Sequence, residues 1–313
     1  MIFDKNGPRL RAAGLGLGVA AALTLGGCLN QLATSSSAPA FAVGSIALDR
    51  ESDLQFAREA LPASLKTLET FLVNSPAQED LLFLLAKGFN SYAFAVLERD
   101  LERARFDGND DQVNELTRRS VLHYLRAREY GFRSLDFPEL EGAALGGDLG
   151  AVKQHAADLN ADDAPDLFWT LQAWAAAVNL AQDDPDMVGA LPVVEVLLER
   201  LVELDPGYAE GMPLAVWGTY WASRPAMFGG NPEKAKEIFE RAMAAHGSKN
   251  LLIPYLYARF YAPQVQDHKL FNELMAQVLE ADVAKHPDLR LNNEVARDRA
   301  RFWVEHADEL FFE

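Results

Sequence analysis

Val193-Val194-Glu195-Val196-Leu197-Leu198-Glu199-Arg200-Leu201-Val202-Glu203-Leu204-Asp205-Pro206 decides the fold class. Its apolar residues Val193, Val194, Val196, Leu197, Leu198, Leu201 and Leu204 recur at helical spacing. Ala235, Ile238, Phe239, Ala242 and Met243 do the same. From Asp53 onward no strict alternation runs longer than about five residues, so strands are not expected. Helix starts are marked as well. Ser75-Pro76-Ala77-Gln78 reads as a capping box with Pro in the first turn. Asn231-Pro232-Glu233 and Asp184-Pro185-Asp186 each place a capping side chain before Pro and an acid behind it. The chain is read as all-α.

The helices fall into pairs that fit a degenerate tetratricopeptide-like (TPR) hairpin pattern, about four times over. Gly88 and Ser91 pair with Ser120, Tyr124 and Ala127. Trp169, Ala173 and Ala176 pair with Val194, Leu198 and Leu201. Gly218 and Trp221 pair with Ala235, Phe239 and Ala242, and Ala258 and Tyr261 with Leu270, Leu274 and Val278. Small residues allow paired helices to approach, and a large one fills the gap to the neighbour. The standard motif separates the two helices by about twelve residues. Ala258 to Leu270 keeps twelve, but Gly218 to Ala235 takes seventeen, Ala173 to Val194 twenty-one and Gly88 to Ser120 thirty-two. Insertions at the hairpin turns are therefore expected, with an irregular helical bundle as the alternative. A C-terminal helix from Leu289 to about Glu305 is expected to cap the stack, and Ala143 to Ala164, rich in Gly and Asp, to be a long loop.

The N-terminus has a different character. Lys5, Arg9 and Arg11 precede an apolar run from Ala12 to Leu25, then Leu25-Gly26-Gly27-Cys28. This is signal-peptide anatomy, and the run is short and Gly-rich for a spanning helix. The tetrapeptide resembles a bacterial lipoprotein cleavage box, which makes Cys28, the chain's one cysteine, the expected lipid attachment point. The expected organisation is a signal peptide over 1–27, a lipidated flexible tether over 28–52 and a helical domain over 53–313. Removal of 1–27 leaves 26 basic and 45 acidic residues, a net charge of −19. Such acidity argues against nucleic acid and against lying flat on anionic lipid.

Chemistry-bearing clusters are not evident. The six histidines, from His123 to His306, are scattered, with no pair at metal-ligand spacing. No nucleophile elbow or phosphate-cradling Gly loop is found. Asp107-Gly108-Asn109-Asp110-Asp111 departs from a calcium loop, with Gln112 at the Gly position and Arg118 at the bidentate acid, and reads as a polar turn. No metal, cofactor or catalytic residue is expected, and a binding role is favoured over an enzyme.

Residues 211–267 are the most distinctive stretch. They contain Met212-Pro213-Leu214-Ala215-Val216-Trp217-Gly218-Thr219-Tyr220-Trp221, Phe228-Gly229-Gly230-Asn231-Pro232, Leu256-Tyr257-Ala258-Arg259-Phe260-Tyr261 and Gln264-Val265-Gln266-Asp267. With Leu84–Tyr92, Tyr124–Gly131, Leu289–Asn293 and Arg297–Arg301, this order resembles the T component (TatT) of tripartite ATP-independent periplasmic (TRAP) transport systems. The resemblance implies a lipid-anchored periplasmic protein of TPR-like fold that partners a solute-binding protein of the same TRAP system. It also implies a homo-oligomer, possible as a trimer, with an apolar cavity or pore suited to a hydrophobic small-molecule ligand. Contact with the membrane would be through the lipid anchor only, with Leu29 after the cysteine favouring the outer membrane. A structural TPR scaffold for envelope assembly is the second reading.

Helical spacing places Trp217, Tyr220 and Trp221 together on one helix and Tyr257 and Tyr261 on another. With Trp169 and Phe228 they are the candidate cavity wall, and Asn90 and Arg259 the candidate polar orienters. The competing reading is that these aromatics fill the space between hairpins. Arg259, Arg297, Arg299 and Arg301 are expected to pair with the chain's own carboxylates.

Overall fold

The computed structural model describes residues 39–311. Cys28, the signal segment and the first part of the tether lie outside the described residues. Within them every regular element is helical, as the periodicity predicts. The order is α1 Pro39–Asp49, α2 Leu54–Asn74, α3 Glu79–Phe106, α4 Asp110–Leu135 and α5 Pro138–Leu145. Next come α6 Leu149–Ala156, α7 Ala164–Leu180, α8 Leu191–Leu204 and α9 Tyr208–Ala222. The chain ends with α10 Pro232–His246, α11 over 252–264, α12 His268–Glu280 and α13 Arg290–Glu305.

Neighbouring helices pack as α3 on α4, α7 on α8, α9 on α10 and α11 on α12. Helices α3, α7, α9 and α11 also touch one another in that order, which puts them on the inside of the array. The last helix, α13, packs on α11 and α12 and returns to α1 and α2. The array therefore closes on itself. By length and composition α3 could cross a membrane, but 61% of its apolar window is buried within the protein. Its apolarity serves a core helix with neighbours on several sides.

Two close approaches set the spacing. A Cβ on Gly218 would lie 2.9 Å from the Phe239 ring, so the small residue of α9 faces the large residue of α10. A Cβ on Gly131 of α4 would lie 2.2 Å from Thr170 Oγ1 and 3.1 Å from Thr170 Cα, against the backbone of α7.

Several expectations need correction. Helix α3 starts at Glu79, with Gln78 as the cap residue and no side-chain cap, so Ser75–Gln78 is a turn and not a capping box. Its turn closes through Gln78 N–H to the Ser75 carbonyl at 3.1 Å, leaving the Ser75 hydroxyl buried without a partner among the described residues. Residues 143–164 are not a long loop. They hold the end of α5 and all of α6, because Asp148 caps Gly150 and Ala151 and Leu140, Val152 and Ala156 have a core to enter. Part of the stretch expected as tether, Pro39–Asp49, is helical. Phe41 packs on Phe71 at 5.1 Å, and Asp49 meets Lys87 at 2.8 Å. These are partners that composition alone does not reveal. Asn231, Asp184 and the Asp107–Asp110 turn behave as expected, the first two accepting from Lys234 N–H and Asp186 N–H.

Gly131→Ala should lower stability by about 1–3 kcal/mol through overpacking between α4 and α7. Urea unfolding checks this, and adding Thr170→Ala, which removes the clashing hydroxyl, should recover part of the loss.

Candidate functional site

The inner helices do not meet along a common axis. Two chambers, each partly open to solvent, lie against these helices where facing side chains are short. The larger, about 1230 Å³, lies between α1, α2, α3 and α7, with the starts of α9, α11 and α13 closing it. Ala40, Gly44, Ala47, Ala57, Gly88 and Ala95 contribute little volume to its wall. The smaller, about 380 Å³, lies between α3, α4, α7, α9 and α11. Phe94, Gln172 and Met212 line both chambers and form the wall they share.

Local backbone features place these residues. Helix α3 carries a π-helical segment at Ala93–Glu98, and α11 carries another at Tyr257–Tyr261. The wider turn brings Phe94 and Glu98 to the smaller chamber from one side and Phe260 from the other. Ala209, Glu210 and Gly211 run through left-handed conformation, at φ of 47°, 52° and 83°, before α9 proper begins. Asn250 holds that turn by donating from Nδ2 to the Ala209 and Glu210 carbonyls at 3.3 and 3.1 Å. The turn sets Tyr208 and Met212 on the larger chamber's wall.

The charges of the larger chamber are accounted for. Arg58 binds Asp100 at 2.8 and 2.5 Å, Lys87 binds Asp49 at 2.8 Å, and Arg50 binds Asp288 at 2.7 Å. Arg99 donates to Asp298 at 2.5 and 3.1 Å. Burial pushes the Asp298 carboxyl up, but Arg99 and Arg103 outweigh it and hold the group below its usual range. The Tyr208 phenol is pushed up to about 12 by burial.

Behind the shared wall sits a buried cluster. Arg299, 3% exposed, donates to Glu102 at 3.1 and 2.7 Å and to Glu98 at 3.3 Å. Tyr124 donates its hydroxyl to Glu98, and Trp303 Nε1 donates to Glu102 at 3.1 Å. Burial works to lower the Arg299 pKa, yet the two carboxylates hold it well above the ordinary value. Glu98 is driven up by burial, helped by the neighbouring Glu102 charge, and the opposing pull of Arg299 and Tyr124 does not cancel the rise.

The expected wall residues divide between the chambers and the core. Trp169 lines the larger chamber, with Nε1 donating to Tyr208 Oη at 3.1 Å. Tyr220 lines the smaller one and donates to the Leu191 carbonyl at 3.2 Å. Trp217, Trp221, Tyr257 and Tyr261 are not among the lining residues; they fill space between α9, α10 and α11. Tyr257 stacks on Phe239 at 4.8 Å, and Lys234 lies 4.1 Å over the Trp221 ring. Asn90 is buried apart from both chambers and donates Nδ2 to the Trp169 carbonyl at 3.4 Å. Arg259 lies 3.9 Å over Trp303 and makes no ion pair among the described residues, whereas Arg297 and Arg299 bind carboxylates. Phe228 belongs to a short 3₁₀ turn, Ala226–Phe228. Sequence reasoning missed Phe94, Gln172, Met212 and Arg224. Gln172, a lone amide inside the apolar stretch Leu167–Val178, carried a usable signal.

The described residues define an all-helical protein with two pockets along its inner helices. The family model of the TRAP transporter T-component matches residues 50–311, and the chain belongs to that family. Membership makes it an accessory component of a TRAP transport system, in a family that is periplasmic. An uncharacterized protein of Treponema pallidum (strain Nichols) is 26% identical over 268 residues, covering 84% of this chain and 82% of its own length.

Arg299→Ala, which leaves two buried carboxylates uncompensated, should cost about 3–5 kcal/mol in urea unfolding. Arg299→Met combined with Glu98→Gln and Glu102→Gln should restore most of it. For Asp298 the folded pKa is depressed, so its contribution is complete above about pH 3.9 and is lost as pH falls through the lower folded value. Urea midpoints measured on acidification should therefore fall less steeply in Asp298→Asn than in the parent.

Proposed function

We propose that this protein docks the solute-binding protein of its TRAP system and holds a hydrophobic small molecule in the larger chamber. The observation that carries this reading is the chamber itself. A volume of about 1230 Å³, walled largely by apolar side chains with every lining cation paired, suits a neutral apolar guest. Unpaired charge would oppose such a guest through desolvation, and the ion pairs at the wall remove that opposition.

The repeat reading belongs to the same proposal. Supporting a degenerate TPR-like array are the pairwise packing of α3/α4, α7/α8, α9/α10 and α11/α12, the ordered contact of their first helices, and α13 as the cap. Lipid attachment at Cys28, outer-membrane anchoring through 28–52 and assembly as a homo-oligomer, with a trimer as the expected form, complete it. On a chain this acidic, docking is favoured at a face where charge is low. Val43, Ile46 and Phe56, exposed apolar residues on α1 and α2, offer one.

Two measurements test the proposal. Sedimentation of the purified protein with the solute-binding protein encoded beside it should show a complex at tens of micromolar; two independent boundaries at that concentration reject docking. Phenylnaphthylamine should fluoresce on binding the parent. Gln172→Trp, which fills the wall shared by the chambers, should weaken that binding by about tenfold or more. Unchanged binding in the variant, or none in the parent, rejects the chamber as the ligand site.

A further inference from the structure

The smaller chamber contains a cation that no carboxylate neutralises among the described residues. Arg224, just beyond α9, is the one cation among the described residues of its wall. In a chain with 46 acidic and 29 basic residues, a cation beside a cavity is expected to find a carboxylate. Arg224 forms no ion pair among the described residues. Its guanidinium lies 4.1 Å over the Tyr220 ring, and its Nε is buried without a hydrogen-bond partner. The other charge on the wall, Glu98, is committed to Arg299 and Tyr124.

The backbone of Arg224 is held from several directions. A Cβ on Gly230 would lie 1.8 Å from the Arg224 carbonyl oxygen, so no other residue fits there. Gly229, at φ of 85°, turns the chain into that approach. Gly230 N–H donates to the Pro225 carbonyl at 3.1 Å, and Asn231 N–H to the Trp221 carbonyl at 3.0 Å. Gln264 of α11 donates Nε2 to the same Arg224 carbonyl. Two separate distinctive stretches of the sequence, the Phe228–Pro232 turn and the Gln264–Asp267 segment, thus meet at one residue. None of these contacts needs a guanidinium, because all of them use the main chain. Tyr220, the surface under the side chain, is itself fixed through its hydroxyl to the Leu191 carbonyl and to Glu195, at 3.2 and 3.1 Å.

The geometry points to a carboxylate-recognition end in the smaller chamber, with an amphipathic monocarboxylate as its ligand. The carboxylate sits on Arg224, whose planar fork matches two oxygens. Gln172, Asn179 and Gln182 supply neutral hydrogen-bond groups, and the apolar tail lies against Val216, Leu256, Phe260 and the shared wall of Phe94 and Met212. One guanidinium among neutral amides suits a single negative charge, whereas a phosphate dianion would call for further cations. A volume of about 380 Å³ is within the range of small-molecule sites. This inference rests on the proposal that the chambers admit an apolar guest, and it names the guest's chemical class.

The test uses dansyl-undecanoic acid and its methyl ester on the full chain. The acid should bind the parent at least about tenfold more tightly than the ester, the size of one charge-assisted hydrogen bond. Arg224→Gln should abolish the difference by weakening the acid alone, and Arg224→Lys should retain part of it. Unchanged ester binding in Arg224→Gln shows that the variant is folded. Equal binding of acid and ester by the parent overturns the carboxylate assignment while leaving the apolar chamber intact. Binding of neither probe overturns the apolar-guest reading as well.

Discussion

Arg299 is the side chain on which the closure of this protein depends. It sits on the last helix and reaches α3, nearly two hundred residues earlier, to lie between Glu98 and Glu102. A buried guanidinium is costly to desolvate, and it stays buried only when its donors are matched. Here they are matched by two carboxylates and by the Phe94 carbonyl, with the Phe94 ring 4.4 Å below. The cluster cannot be formed halfway. Withdrawal of α13 would leave Glu98 and Glu102 facing an apolar core, so α3 and α13 are held together or both are lost. Closure in turn creates the interior, because inner helices arranged round a closed array leave a volume that side chains fill or fail to fill.

The cluster also explains why the π-helical segment lies where it does. Within an ordinary helix Phe94 and Glu98 would face nearly the same way, as residues four apart do. The extra residue in the turn spreads them, so that Phe94 contributes its carbonyl to Arg299 and its ring to both chambers while Glu98 reaches Tyr124 and Arg299. Widening a helix weakens its hydrogen bonds locally, and such segments persist where surrounding contacts compensate. Packing of α3 against α2, α4 and α7 supplies that compensation.

Much of the helical architecture was legible in the sequence, and little of the interior was. Val193–Leu204, Asn231–Met243 and the terminal helix declare themselves by period and capping, which are local properties. The helices α1 and α6 did not, because their stability comes from partners far along the chain, such as Phe71 for Phe41 and the core that receives Val152. The ion pairs joining α13 to α3 span about two hundred positions and leave no periodic trace. Family resemblance could be read from the order of soft motifs. The meeting of Gly230 and Gln264 on the Arg224 carbonyl could not, since it depends on how two turns fold against one another.

The aromatic residues show why the wall of a cavity is hard to predict from composition. A search for apolar walls naturally selects Trp and Tyr, which bury the most surface. Those side chains are also the best fillers of space between helices, and a position that holds one is seldom a void. Trp217, Trp221, Tyr257 and Tyr261 accordingly close the gaps between α9, α10 and α11. The chambers open where Ala, Gly, Ser and Met face inward and where helices are held apart by closure elsewhere. A cavity is thus the complement of the aromatic pattern. Its sequence signature is a run of small residues on the inner face of a helix, as at Ala175-Ala176 of α7, flanked by one amide, Gln172, whose oxygen has no partner among the described residues.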